Sequence, residues 1–491
     1  MKRILFTFIG FCLLLLVGCN SFQNKKGPYF GDGFRNGWAD QHSAVIWTRL
    51  TRNPEMNRTG PQFLIPTTDA TQLEKLTDKD RIMKEQLPAG YTLEQMEGAC
   101  PGATGQVRLS WFPKELPGEK QESQWQEVDP GKDFTHQWKL ENLRPGTEYR
   151  VKIVARAKAS ASPSDSIKGF FRTPPAENAQ EDLRFCIVTC QDYPRRDDPV
   201  NGHKIYDSML KLMPHFYVHT GDVEYYDKAL PYALTEELMR FKWNRIFALP
   251  YQRLFYTEVT SYFMKDDHDA LSNDCYQGMT YGQVSFNRGV EIFEKEQFPT
   301  AEKTYKTVRW GKNLQIWIME GRNNRSPNDM PDGPGKTIWG KEQKEWLFKS
   351  LKESDATFKL LIVGTPILGP DRKNKKDNYS NKVFKTEGDE IRQYLNQFKN
   401  VIICTGDRHW QYVTHLKETN LWEFGTGPSS DQHAEGWPEN DVRPEHRFLR
   451  LKGGFLAGTT QTGEKGETIL KLQHCDVDGN MVHEEVFNSA N

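Results

Sequence analysis

The run Phe216-Tyr217-Val218-His219-Thr220-Gly221-Asp222-Val223-Glu224-Tyr225-Tyr226-Asp227 decides how the chain folds. An apolar segment breaks off at a Gly-Asp pair and gives way to acids and tyrosines, the pattern of a buried strand that delivers acidic side chains at its tip. Upstream, Arg184 to Thr189 is a second apolar run, ending in Cys190-Gln191-Asp192. Between the two, Ile205, Met209, Leu212 and Met213 recur on one helical face. Strand, helix and strand make a βαβ unit, so the strands are expected to run parallel and to bring Cys190 and Asp222 to the same sheet edge. That edge is where α/β sheets bind ligands.

A single Gly-Asp is ordinary turn chemistry, but the pattern recurs. Tyr262 to Lys265 ends in Asp266-Asp267-His268-Asp269, Leu314 to Met319 in Glu320-Gly321-Arg322, and Val401 to Thr405 in Gly406-Asp407-Arg408-His409. Taken singly, Cys190 reads as a small buried hydrophobe, Asp222 and Asp407 as turn caps, His268 and His409 as core histidines, and Arg322 as a solvated charge. Ordinary structure gives no reason for all of them to stand in order at successive strand tips. Trp339 to Ser354 reads as a covering helix, and Thr468 to Gln473 with Met481 to Phe487 as a hairpin about Asp478-Gly479. Trp243 and Trp346 read as core. His203 and His433 are unassigned surface candidates, and Glu423 has no readable role.

The 491 residues leave room for two or three domains, and 65 basic against 66 acidic side chains give no global field for nucleic acid. Nucleic acid is not an expected partner, and a nuclease lacks the basic, aromatic-interleaved patch it would need. Residues 1–19 read as a targeting segment: Lys2-Arg3, an apolar run too short to span a bilayer comfortably, then Leu16-Val17-Gly18-Cys19. This ending resembles the lipobox of bacterial lipoproteins. It implies export and a lipid anchor at Cys19 on the periplasmic or cell-surface side. Six cysteines follow without paired spacing, which indicates neither a disulfide scaffold nor a zinc knuckle.

Ahead of the βαβ unit the signals are β. Ser43 to Leu50 and Gln106 to Phe112 alternate, whereas 51–105 is a polar insertion with no readable structure. Leu143-Arg144-Pro145-Gly146-Thr147-Glu148-Tyr149 resembles the turn and strand of fibronectin type III domains, which implies a sandwich over 28–175. The expected fold class is therefore a layered α/β domain of mixed sheets and flanking helices over 183–488, preceded by an all-β fibronectin- or immunoglobulin-like sandwich.

Acids, tyrosine, histidine and a thiol converging at one place would be costly without cations. Two hard ions there can polarise a shared water and a phosphoryl oxygen, so the reaction inferred is phosphoester hydrolysis. The motif order resembles the calcineurin-like metallophosphoesterases, and specifically their alkaline phosphatase D branch, over nearly the whole mature chain. Thr189-Cys190-Gln191, Gly221-Asp222 with Tyr225, Asp267-His268 and Gly406-Asp407-Arg408-His409 carry the likeness.

The resemblance implies that Cys190, Asp222, Tyr225 and His409 hold Fe3+, while Asp222, Asp267 and Asp407 help to bind Ca2+. It implies His268 as general acid or donor to the phosphoryl oxygens, Arg322 as a neutraliser of transition-state charge, and direct attack by metal-activated hydroxide on a phosphomonoester or phosphodiester. The loops 226–260, 269–310 and 323–337 are expected to decide between these esters. Glu320 and Lys265 stand where the branch has Asp and Trp. They leave open an alternative, a surface-anchored binding protein with a degenerate metal site.

Overall fold

The computed structural model describes residues 27–300 and 303–490. The segment bearing the Cys19 motif lies outside them. Two mixed sheets stack face to face in the carboxy-terminal part. One has six strands, in the order Thr260–Phe263, Phe216–His219, Leu183–Val188, Phe455–Thr462, Thr468–Cys475 and Met481–Asn488. The other has seven: Lys306–Trp310, Leu314–Ile318, Phe358–Val363, Val401–Thr405, Leu421–Thr426, Gln411–Leu416 and His446–Arg450. A dry core of Phe185, Ile187, Phe216, Val218, Ile316, Leu360, Ile362 and Phe424 fills the space between them. The strand Phe216–His219 pairs in parallel with Leu183–Val188 and Thr260–Phe263, the connection βαβ topology requires.

Helices cover both outer faces, so the central strands are apolar on both sides and read as continuous runs rather than alternations. Leu347 and Leu351 of the helix Lys341–Glu353 pack on one sheet. On the other lie the helices Lys204–Lys211, Glu236–Phe247 and Pro250–Glu258. Glu236–Phe247 starts where Thr235 accepts the Leu238 N–H, with two glutamates in its first turn. Met213 does not join the apolar face of the helix before it: it falls past the carboxy-terminal end, at φ +49°, and is exposed. Among the described residues, no helix is long and apolar enough to cross a membrane.

Residues before 175 build a smaller pair of sheets. Phe34–Gly37, Ala44–Arg49 and Thr135–Leu140 form one, and Gln106–Pro113, Glu148–Arg156 and Asp165–Arg172 are the main strands of the other. Tyr149 lies in their shared core and its hydroxyl accepts the Arg144 N–H at 2.8 Å. The polar stretch 51–105 is ordered, with helices Ala70–Leu73 and Lys79–Gln86. It does not join this sandwich core: Met56, Phe63, Leu73, Ile82 and Met96 bury themselves against the helical layer of the large sheets. A buried Arg35 further ties the two parts, its guanidinium lying 3.5 Å over Trp47 and 3.8 Å over Phe247.

Candidate metal centre

Both large sheets end at the same place. The site is thus built between two sheets, not along the edge of one, and two glycines let its tips pack closely, Gly221 within the six-stranded sheet and Gly406 between the sheets. A Cβ on Gly221, at φ +111°, would stand 2.6 Å from the Cβ of Asp266. One on Gly406 would stand 2.3 Å from Thr220 Oγ1 and 2.7 Å from Thr189 Oγ1, so this tip of the seven-stranded sheet nests into the six-stranded one. The Asp407 N–H donates to Thr189 Oγ1 at 3.0 Å across the junction. Cys190, Asp222 and Asp407 all have left-handed backbones, with φ of 48°, 55° and 60°. Such conformations are uncommon outside glycine, and they cluster where surrounding structure over-determines a functional loop.

Among the described residues, four groups of potential ligand atoms result, each within 4.8 Å: Cys190, Asp222 and His409; Asp222, Asp267 and His268; Asp222, Asp266 and Asp407; and His409, His433 and Glu435. Asp222 belongs to three of them. Its Oδ2 is 3.5 Å from Cys190 Sγ and 3.1 Å from the Tyr225 hydroxyl, which is in turn 3.1 Å from His409 Nε2. The structure thereby brings together Cys190, Asp222, Tyr225, Asp267, His268, Asp407 and His409.

The donor set fits cations. Asp222 Oδ1, Asp266 Oδ2 and Asp267 Oδ1 are buried with no hydrogen-bond partner, and an orphaned buried carboxylate oxygen is expensive. Burial pushes the Asp222 carboxyl and the Cys190 thiol well up, and neighbouring acids add to both shifts. Burial likewise carries Asp266 to about 7, against the pull of Arg322. A bound cation would remove these costs and keep the ligands ionised.

His268 is held by Asp227, whose Oδ1 meets its Nδ1 at 2.6 Å while Oδ2 accepts the Asn273 N–H at 2.8 Å. Despite burial, Asp227, Asp267 and Asp222 push the imidazole up to about 10. Arg322 is buried, ion-paired to Asp266 through Nε and 3.6 Å from Asp267. Despite its burial, Asp267 is held below the usual carboxylate range by Arg322 and His268.

Glu320 lies outside the four groups. It pairs with Lys265 at 2.9 Å and accepts the Arg322 and Asn323 N–H groups. Glu294 binds Lys265 from the other side at 2.7 Å. The two departures from the branch pattern are therefore each other's partners.

His203 and His433 are not on the surface. His203 is fully buried, 2.7 Å from Gln252, and His433 packs 4.4 Å from the His409 ring. Asp269 was missed although it ends the Asp-Asp-His-Asp run. It accepts the N–H groups of Asp222, Val223, Glu224 and Asp266 and so shapes the Asp222 loop. Glu423, fully buried, accepts the N–H groups of Ile367, Leu368 and Gly369 and the Tyr412 hydroxyl. It thus fixes the chain leaving the tip of Phe358–Val363.

Above the ligand groups opens a cavity of about 230 Å³, lined among others by Tyr225, His268, Arg372, Lys375, His409 and Trp410. Arg322 is not part of this lining. Residues 292–474 match the family described as PhoD-like phosphatase. That match covers the carboxy-terminal sheet of seven strands and marks this stretch as similar to the PhoD-like phosphatases. Arg322, Asp407 and His409 fall inside the matched stretch. A solved structure of PhoD is 16% identical, covers 94% of this chain and 89% of its own, and superposes with a TM-score of 0.67. A purple acid phosphatase from yellow lupin (Lupinus luteus) is 11% identical, with coverages of 93% and 74% and a TM-score of 0.60. At these identities the two likenesses carry the fold. No curated protein matches the chain. The matched stretch and the ligand groups together support a metal-dependent phosphoester hydrolase.

Proposed function

We propose that Cys190, Asp222, Tyr225 and His409 hold Fe3+ and that Asp222, Asp267 and Asp407, with Asp266, hold Ca2+. The observation that carries this reading is Asp222, the one carboxylate common to a thiolate-containing group and to two others. Thiolate and phenolate oxygen suit a ferric ion, whereas the carboxylates suit a hard, oxygen-seeking ion. Bound there, such a pair supplies water activation and neutralisation of the phosphoryl group.

The chain's own side chains do the rest. Asp227 occupies Nδ1 of His268 and keeps the ring protonated, leaving Nε2 to donate to a leaving or phosphoryl oxygen. Arg322 orients Asp266 and Asp267, and its charge reaches the reacting group through them. Lys375 and Arg372 line the cavity as cations for the incoming anion. The alternative of a non-catalytic binding protein rested on Glu320 and Lys265, which neutralise each other outside the ligand groups.

The domain arrangement follows the same reading: a fibronectin-like domain over 28–175 and a phosphoesterase domain over 183–488. Residues 51–105 extend from the first to brace the second. The lipobox-like ending at Cys19 supports an exported, lipid-anchored enzyme that acts on phosphomonoesters or phosphodiesters at the periplasmic face or cell surface.

The test is hydrolysis of a chromogenic phosphate monoester and its matching diester, before chelation, after it, and after re-addition of iron and calcium. Turnover of either ester that vanishes on chelation and returns with both metals is expected. A protein that keeps bound metal and cleaves neither ester would overturn the catalytic reading.

A further inference from the structure

A second basic groove adjoins the reaction cavity. It encloses about 720 Å³. The segment Asp371-Arg372-Lys373-Asn374-Lys375-Lys376-Asp377 separates the two, and Lys375 lines both. Charge in this groove is lopsided. Asp371 is buried and bound to Arg408 at 2.6 Å, Lys375 pairs with Asp377 at 2.8 Å, and Arg443 with Asp441 at 2.8 Å. Lys373, Lys376 and Lys382 are exposed and make no ion pair among the described residues; Asp441, already paired with Arg443, lies near Lys373, and Glu445 is the one lining acid without an ion pair among them.

The dividing segment is held in place rather than loosely draped. Glu423 anchors its approach through three backbone N–H groups. Arg408 ties down Asp371 and Asp377 at its two ends. Arg372 lies 5.3 Å over the Trp410 ring against Gly436, where a Cβ would come within 2.6 Å of its Nη1. Its Nε is buried without a hydrogen-bond partner and lies 3.6 Å from the Asp371 carboxylate.

We propose that this groove is a second anion subsite, so that the preferred substrate is a phosphoester whose leaving group carries a further phosphate. The scissile phosphate sits in the reaction cavity, Lys375 and Arg372 stand between the two positions, and the second phosphate meets Lys373, Lys376 and Lys382. Binding at a distance from the reacting centre is how an enzyme selects among substrates that share one scissile group. Unpaired ammonium groups at the rim of a cleft raise the local concentration of an anion. This proposal rests on the catalytic reading above.

The test uses the full, metal-loaded protein and the variant Lys373→Ala/Lys376→Ala. Both lysines are exposed and outside the reaction cavity. Two substrates are compared: a chromogenic phosphate monoester, and a bisphosphate whose leaving group bears the second phosphate. For the bisphosphate, kcat/KM is expected to fall about threefold to tenfold through KM, the size of two exposed charge contacts, with the simple monoester unchanged. The variant's bisphosphate rate is also expected to depend less on salt. A Lys376→Glu variant is expected to enlarge the loss.

Equal losses on both substrates, or none on the bisphosphate, would overturn the proposal. Inorganic tripolyphosphate binding, followed by calorimetry, separates this failure from failure of the catalytic reading. If no ester is cleaved, weaker tripolyphosphate binding by the variant still supports the subsite, and unchanged binding overturns it.

Discussion

Replacing Asp227 by Asn removes one charge at nearly constant shape, and the structure gives the consequence. Asp227 now spans two donors, His268 Nδ1 at 2.6 Å and the Asn273 N–H at 2.8 Å. An asparagine can satisfy the backbone donor with its oxygen, but it then turns its NH2 toward His268 Nδ1. The imidazole must present a lone pair there and gives up the charge that Asp227 sustains. A lost charge-assisted hydrogen bond of about 1.5–3 kcal/mol corresponds to a decrease in kcat of about tenfold to a hundredfold. The assay compares esters with good and poor leaving groups at matched metal content. If His268 protonates the leaving oxygen, the poor leaving group suffers more. If it donates to the phosphoryl oxygens, both suffer alike. Unchanged turnover of both esters, with metal still bound, would refute the reasoning.

Other substitutions probe the scaffold. Glu423→Ala leaves three buried N–H groups and a tyrosine hydroxyl without their acceptor, and about 3–5 kcal/mol of stability is expected to go, measured by denaturant unfolding. Faster hydrogen exchange at Ile367 to Gly369 is expected to accompany it. Lys265→Met strands Glu294 and Glu320 against each other at a cost of about 3–5 kcal/mol. Adding Glu320→Gln to Lys265→Met is expected to recover part of that loss, which a double-mutant cycle reads directly. Gly406→Ala inserts a methyl against the hydroxyls of Thr220 and Thr189 and pushes the two sheet tips apart. Metal affinity, followed by competition with a chelator, is expected to weaken about tenfold or more.

The strands were legible because each is a short apolar run buried on both faces, and their ends were legible because an acid or glycine breaks the run. The βαβ order gave the parallel pairing of Leu183–Val188 with Phe216–His219. What joins the tips was not legible. The strand Phe455–Thr462 pairs with Leu183–Val188 from nearly the other end of the chain, and no local pattern announces such a partner. Buried polar residues were the least readable. Glu423 has no legible role in the sequence and His203 and His433 look like surface groups, because their neighbours come from distant segments. For the same reason the structure of the 51–105 insertion was not legible: its few apolar residues find their cover on helices about a hundred residues away or more. The lining of the reaction cavity takes Lys228 and Asn273 from the loops expected to set substrate preference, and Arg372, Lys375, Glu435 and Gly436 from outside them.

The most direct test of the metal-dependent mechanism is bound metal and ester turnover measured on the same preparation of the native protein, Asp222→Asn and Cys190→Ser. The native protein is expected to carry both metals. Asp222→Asn is expected to lose both together with all turnover, because that carboxylate is shared, and Cys190→Ser to lose iron while keeping calcium. An Asp222→Asn protein that retains native metal content and native turnover would contradict the account.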